Sequence, residues 1–230
     1  MRVLFVAATC FELKLFLENM EEIEGENSPV SHYRWHDLEI DLILTGVGLS
    51  FTTYHLTRLL QKEKYDLVIN AGIAGSFYDE LSIGTVVNVT SEQFGDLGIE
   101  EPGGFKTLFQ AGFMKEDQFP FQGGKLMNPH FRQSMELHNV HGLSVNMGHG
   151  RNTTIDQLKM NFDADIESME GAAVFYVCLM EDIPFLEIRA ISNFVESRDT
   201  TKWDIPTALE NLTDELLKIL RNFATVLQIS

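Results

Sequence analysis

Ile166-Glu167-Ser168-Met169-Glu170-Gly171-Ala172-Ala173 reads as a short strand turning into a long apolar helix over residues 170–180, after which residues 184–192 return as a buried strand. Strand, helix and strand in close succession form the unit from which parallel sheets are built, so this stretch sets the fold class. It also holds an oddity. Acids stand around a methionine at the junction, and a carboxylate placed where apolar residues should pack needs a partner. Glu170 therefore has two readings: a first-turn acid that complements the helix macrodipole and its free N–H groups, or a carboxylate that meets a substrate.

The alternation continues in both directions. Residues 2–8 form a largely apolar strand, and residues 10–20 place Phe11, Leu15 and Phe16 at helical spacing. Residues 38–44 alternate and run into Gly46-Val47-Gly48 and a helix near residues 50–62. Residues 66–70 are a buried-type strand closed by a glycine turn, Ala71-Gly72-Ile73-Ala74-Gly75-Ser76-Phe77, and residues 84–90 are another strand. Asn128-Pro129 marks a turn before an amphipathic stretch; a strand at 141–147 and a short helix at 153–161 follow. Near the C-terminus Leu209, Leu212, Leu216, Leu220, Phe223 and Leu227 step by three or four, laying one apolar stripe on the sheet.

Two regions lack such a period. Residues 21–29 are acidic and turn-rich, and residues 95–124 mix seven glycines with Pro102, Pro120 and several phenylalanines, a pattern expected of loops over a site. The expected class is α/β: a largely parallel sheet covered by helices on both faces. No composition break marks a second domain, so one domain is expected over residues 1–230.

With 34 acidic against 17 basic side chains the formal net charge is -17, which disfavours nucleic acid and anionic membrane surfaces as partners. The N-terminal residues carry one charged side chain and no small-residue cleavage site, and read as a first strand rather than a signal peptide. No other apolar run reaches the length needed to span a bilayer. Cys10 and Cys178, far apart in apolar surroundings, suit free thiols in a reducing compartment, and the cytoplasm is the expected one. The close pairs His32/His36 and His138/His141 lack accompanying cysteines, and His149 lies in a glycine-flanked turn, so no structural metal is expected.

Three further motifs carry chemistry. Gly46-Val47-Gly48 invites a dinucleotide-binding reading, but Phe51 stands where the third glycine belongs, and Asp66 begins a strand instead of ending one. Glu12, just after the first strand, is either a first-turn acid or a catalytic carboxylate. Arg189-Ala190-Ile191-Ser192-Asn193 ends a buried strand with an arginine and an amide, and strict alternation would turn Arg189 and Asn193 toward one pocket.

Taken in order, Glu12, Asn70-Ala71-Gly72-Ile73-Ala74-Gly75, Ser168-Met169-Glu170-Gly171-Ala172-Ala173 and Arg189-Ala190-Ile191-Ser192-Asn193 resemble the purine nucleosidase and phosphorylase superfamily. The nearest resemblance is to its futalosine hydrolase branch, a sister of methylthioadenosine/S-adenosylhomocysteine nucleosidase. The resemblance implies a three-layer αβα sandwich around a mixed sheet, a small-molecule purine nucleoside as substrate, and a dimer or higher homo-oligomer with sites near the interface, to which residues 95–124 could contribute. It implies that Glu170 holds the ribose hydroxyls, that Met169 packs on the sugar, and that Glu12 activates water with Arg189 nearby and Gly72 and Ile73 at the substrate. The chain departs from the methylthioadenosine branch at Ile73, where that branch has Ser, and at Ser168, where it has Glu.

The chemistry agrees with these roles. Cleaving an N-ribosidic bond builds positive charge on the sugar, which nearby carboxylates stabilise. At position 193 adenosine-specific relatives carry Asp; Asn193 offers a fixed NH2 donor to the O6 and N7 acceptors of a 6-oxopurine, favouring hypoxanthine as the leaving base. Residues 7–12 and 70–77 contain no Lys or Arg to hold phosphate, so water is the expected nucleophile and no metal or organic cofactor is required. Futalosine also bears a benzoate, for which Arg198 and Arg151 are candidate partners. The alternatives are another purine nucleosidase, a purine nucleoside phosphorylase, or a nucleoside-binding module without catalysis.

Overall fold

The computed structural model describes residues 1–23, 30–129 and 136–227, with side chains described through residue 224. In chain order the elements are β1 (Arg2–Ala7), α1 (Cys10–Leu17), β2 (Glu21–Ile23), β3 (Val30–Trp35), β4 (Leu38–Leu44), α2 (Leu49–Leu60), β5 (Leu67–Ser76) and β6 (Val86–Phe94). Then come β7 (Gly98–Glu101), β8 (Gly104–Thr107), β9 (Phe121–Gln122), β10 (Lys125–Met127), β11 (His138–Ser144), α3 (Asn152–Asn161), β12 (Ile166–Ser168), α4 (Gly171–Met180), β13 (Phe185–Phe194) and α5 (Ile205–Leu227).

Side chains alternate across a strand, and β1 shows the result. Val3 and Phe5 point into one core with Leu13 and Phe16 of α1 and Leu209, Leu212, Leu216 and Leu220 of α5. Leu4 and Val6 point into the other, with Leu56 and Leu60 of α2 and Ala172 to Phe175 of α4. Helices therefore cover both faces, giving the three-layer αβα sandwich. Each fully buried leucine of the α5 stripe contributes about 1.5–3 kcal/mol through removal from water.

The sheet is mixed. β4, β1, β5 and β13 run parallel, whereas β12 pairs antiparallel with β5, and β6 pairs antiparallel with β13. Because β12 also pairs with β11 and β11 with β6, the strands β5, β12, β11, β6 and β13 close into a ring. Polar side chains from several strands are thereby brought together inside the fold.

The structure departs from the sequence reading in instructive places. The glycine turn expected at residues 71–77 is strand: β5 runs unbroken to Ser76, paired with β13 from Val68 to its end. Its glycines serve space, not a turn. A Cβ on Gly72 would strike the Glu12 carboxylate and lie 2.6 Å from Arg189 Nη1, and one on Gly75 would lie 2.8 Å from Val195 and 3.0 Å from Asn193 Nδ2. Glu21–Ile23, expected in a turn, is an exposed edge strand on β3, whose own run the helix and strand patterns did not single out. The rest of that acidic stretch, residues 24–29, and the amphipathic stretch at 130–135 lie outside the described residues. Residues 95–124 include the β7–β8 hairpin and β9, and Cys10 is exposed while Cys178 is buried.

Candidate active site

The C-terminal ends of β5 and β13, the end of β12, the start of α1 and the loop at residues 148–149 enclose a cleft of about 530 Å³, the size of a small-molecule site. Glu12, Ile73, Met169, Glu170, Ser192 and Asn193 line it, together with His149, Glu167, Arg198 and Trp203. No residue of 95–124 does, contrary to the expectation of loops over the site within this chain.

Glu12 is a first-turn acid whose side chain also reaches the cleft. It sits in the first turn of α1, where Oε2 accepts the backbone N–H of Thr9 at 3.0 Å, and it lines the cleft. Its Oε1 accepts the N–H of Ile73 at 3.4 Å over the bare Cα of Gly72. The carboxylate is thus fixed at both oxygens on the cleft wall.

Glu170 does not cap its own helix. It occupies the N-cap position of α4, yet its side chain makes no cap bond; instead Oε1 accepts the N–H of Gly48 at 3.0 Å. Gly48 has φ +106 and Gly46 has φ +80, a left-handed backbone that favours glycine. The Gly46-Val47-Gly48 motif therefore holds a carboxylate. Burial raises the Glu170 carboxyl above its ordinary range, and the positive charge of Arg189, with Nη1 3.9 Å from Oε2, pulls it back down.

Arg189 lies beneath the cleft. Only 1% exposed, it donates from Nε to Glu187 Oε1 at 2.7 Å and from Nη2 to Asn70 Oδ1 at 2.6 Å, while Asn70 Nδ2 donates to the Val6 carbonyl. Gly72 is likewise beneath the lining, between Arg189 and Glu12. The guanidinium so placed is a buried cation facing both cleft carboxylates.

Strict alternation along β13 fails at its end. The register with β5 shifts between Ile191 and Asn193, and this bulge turns both Ser192 and Asn193 to the cleft while Arg189 stays below. Ser192 Oγ donates to Asn193 Oδ1 at 2.8 Å, and Asn193 Nδ2 donates to the Phe194 carbonyl at 3.0 Å. These contacts set which end of the amide is the donor, leaving Nδ2 one further N–H.

Several polar residues around the site were not singled out from sequence. Glu92 is buried, with Oε2 accepting from Ser144 Oγ at 2.9 Å, and Ser144 Oγ accepts the Ala172 N–H. Among the described residues Oε1 of Glu92 and Oε2 of Glu187 have no hydrogen-bond partner, and they converge on Gly171, where a Cβ would collide with both side chains. Burial, followed by the charge of Glu187, pushes the Glu92 carboxyl well up. A signal was present: Glu187 and Arg189 stand two apart in an otherwise apolar strand, the spacing of same-face neighbours. His149 and Glu167 form a second pair, Nδ1 to Oε2 at 2.7 Å, on the cleft wall.

Comparison with known proteins agrees with this geometry. The sequence pattern of the phosphorylase superfamily matches residues 2–225. A futalosine hydrolase of Streptomyces coelicolor is 32% identical over 78% of this chain and 77% of its own length. A 5′-methylthioadenosine/S-adenosylhomocysteine nucleosidase of Glaesserella parasuis is 26% identical over 97% of this chain and 100% of its own. The fold of the Streptococcus pyogenes S-adenosylhomocysteine nucleosidase, crystallised with 5-methylthiotubericidin, superposes with a TM-score of 0.79 at 23% identity, covering 96% of this chain and 97% of that one. With the pattern spanning nearly its whole length and relatives that cleave N-glycosidic bonds, this chain belongs to the phosphorylase superfamily and is a nucleosidase within it.

Proposed function

We propose that the substrate is futalosine, hydrolysed at its N-ribosidic bond to hypoxanthine and dehypoxanthine futalosine in a route to menaquinone. The observation that carries the choice of base is the Asn193 amide: with Oδ1 held by the Ser192 hydroxyl, the group turned to the base is an N–H donor, which suits the O6 and N7 acceptors of a 6-oxopurine. A base presenting an amine there would leave buried donors facing one another, a penalty that supports large discrimination.

In this reading Glu170 accepts the ribose hydroxyls, Met169 packs on the sugar, and Glu12 takes a proton from the attacking water as positive charge builds at C1′. The positive charge of Arg189, from below, counters the effect of burial on Glu170. Arg198, at the cleft wall and over the Trp203 ring at 5.3 Å, is the basic residue placed for the benzoate; Arg151 does not line the cleft. Arg198 is also the sole Lys or Arg of the lining among the described residues, which favours water over phosphate as nucleophile.

The test is release of free base from futalosine, its 6-amino analogue, methylthioadenosine and inosine, each with and without phosphate. Phosphate-independent hypoxanthine release from futalosine, at a kcat/KM well above that for methylthioadenosine, is the expected result. Equal rates on the two would refute the base assignment.

A further inference from the structure

The proposed reaction leaves one proton unaccounted for. When the C1′–N9 bond breaks, its electron pair stays on the purine, and an anionic hypoxanthine is a poor leaving group unless a proton reaches it. Asn193 can hydrogen-bond the base but cannot give a proton away, because an amide N–H does not ionise near neutral pH. Glu12 and Glu170 stand on the sugar side. A separate acid must face the base.

The sheet places one there. Gly75 of β5 is flanked in register by Asn193 of β13 on one side and Glu167 of β12 on the other. Gly75 has no side chain, and Val195 Cγ2 and Asn193 Nδ2 close over it, 2.8 and 3.0 Å from where a Cβ would stand. Glu167 in turn holds His149 at two points: Oε1 accepts the His149 backbone N–H at 3.2 Å, and Oε2 pairs with ring Nδ1 at 2.7 Å. Both side chains are close to sealed, 8% and 10% exposed, yet both line the cleft.

That geometry defines what His149 can do. A ring whose Nδ1 donates to a carboxylate is fixed in orientation and tautomer, and presents Nε2 as the atom that gives or takes the second proton. Nε2 has no hydrogen-bond partner among the described residues. Imidazole is also the side chain whose proton exchange spans neutral pH. Asn193 and His149 line the same cleft, so a base hydrogen-bonded to the Asn193 amide shares that cleft with the His149 ring.

We infer that His149, oriented by Glu167, is the general acid that protonates the departing purine. This rests on the nucleoside reading above. As C1′–N9 breaks, Nε2–H passes its proton to the purine, water oxygen bonds to C1′, and Glu12 accepts the water proton; solvent exchange returns one proton to His149 and removes one from Glu12.

The experiment compares wild type, His149→Gln and Glu167→Gln on futalosine and on its N7-methylated form, whose cationic base leaves as a neutral purine and needs no proton. On futalosine, H149Q is expected to lose about 100-fold or more in kcat, the scale of general acid catalysis, and E167Q about tenfold. On the N7-methylated substrate both are expected to stay within about threefold of wild type, the scale of a lost positioning contact rather than of lost acid catalysis. Equal losses on both substrates would mean that the pair only shapes the cleft, and no loss on futalosine would remove His149 from the reaction; either result overturns the inference alone. A wild-type enzyme that releases no hypoxanthine overturns the substrate reading and this inference with it.

Discussion

Arg189 Nε and Glu187 Oε1 lie 2.7 Å apart, two residues along one strand, and both side chains are fully enclosed. A buried pair of this kind stabilises little relative to apolar packing, but losing one partner is costly because the other charge stays behind. Arg189→Met strands Glu187 and the Asn70 amide oxygen together. The variant is expected to lose about 3–5 kcal/mol of stability by urea unfolding. A loss under about 1 kcal/mol would mean that the guanidinium is not the counterion of this cluster.

Glu92 gives a stability prediction with a definite sign. Its carboxyl is pushed well above 4.5 in the fold, first by burial and then by Glu187, whereas in the unfolded chain it ionises near that value. The folded state therefore holds the proton more tightly. The resulting stabilisation is full below the unfolded value and drains away as pH rises toward the folded one. Glu92→Gln cannot ionise, can keep an oxygen on Ser144, and brings an NH2 to the Glu187 oxygen that lacks a partner. The melting temperature of E92Q should exceed wild type at about pH 8 and converge toward it near pH 5, the side on which both states of the wild type approach full protonation. A difference independent of pH would contradict this account.

Gly72 couples fold and site. A Cβ there would collide with the Glu12 carboxylate and approach Arg189 Nη1 to 2.6 Å, so Gly72→Ala must move one of them. Glu12, whose Oε1 is held only by a 3.4 Å bond from Ile73, yields before Arg189, which is held at 2.7 and 2.6 Å by Glu187 and Asn70. G72A is expected to keep its fold and lose about 100-fold in kcat, the scale of a displaced base. Gly103→Ala, where no atom lies within 4 Å, is the matched control and should leave kcat unchanged.

These glycines also show where sequence reasoning stopped. Local pattern is enough for β1 and the α5 stripe, because burial there follows periods of 2 and 3.6 that a single segment carries. Glu12, Glu170 and Asn193 stood out because each is a polar residue at the junction of an apolar element. What stayed hidden depends on pairing between distant strands. Gly72 and Gly75 look like turn residues until Arg189 and Asn193, more than a hundred positions later, are laid beside them by the β5–β13 register. Glu92 joins Glu187 only because β6 and β13 help close a ring, and His149 meets Glu167 across α3. The bulge that re-aims Asn193 away from the Arg189 side is likewise a property of the pairing.

Asn193 offers the most direct test of specificity. In Asn193→Asp the Ser192 hydroxyl can still donate to one oxygen, but the other would face the Phe194 carbonyl that now accepts from Nδ2 at 3.0 Å. Two acceptors at that distance repel, so the new side chain must carry a proton there or rotate toward the cleft, where an oxygen can accept from an exocyclic amine. The 6-amino analogue should therefore gain on futalosine, with the ratio of their kcat/KM values rising at least about tenfold and futalosine turnover itself falling about 100-fold. The two effects have different origins: the ratio reports the hydrogen-bond pattern offered to position 6, and the absolute fall reports the lost N–H donor. An N193D enzyme that slows on both substrates alike would show that the amide merely shapes the cleft, and the choice of base would then have to be sought elsewhere on its wall.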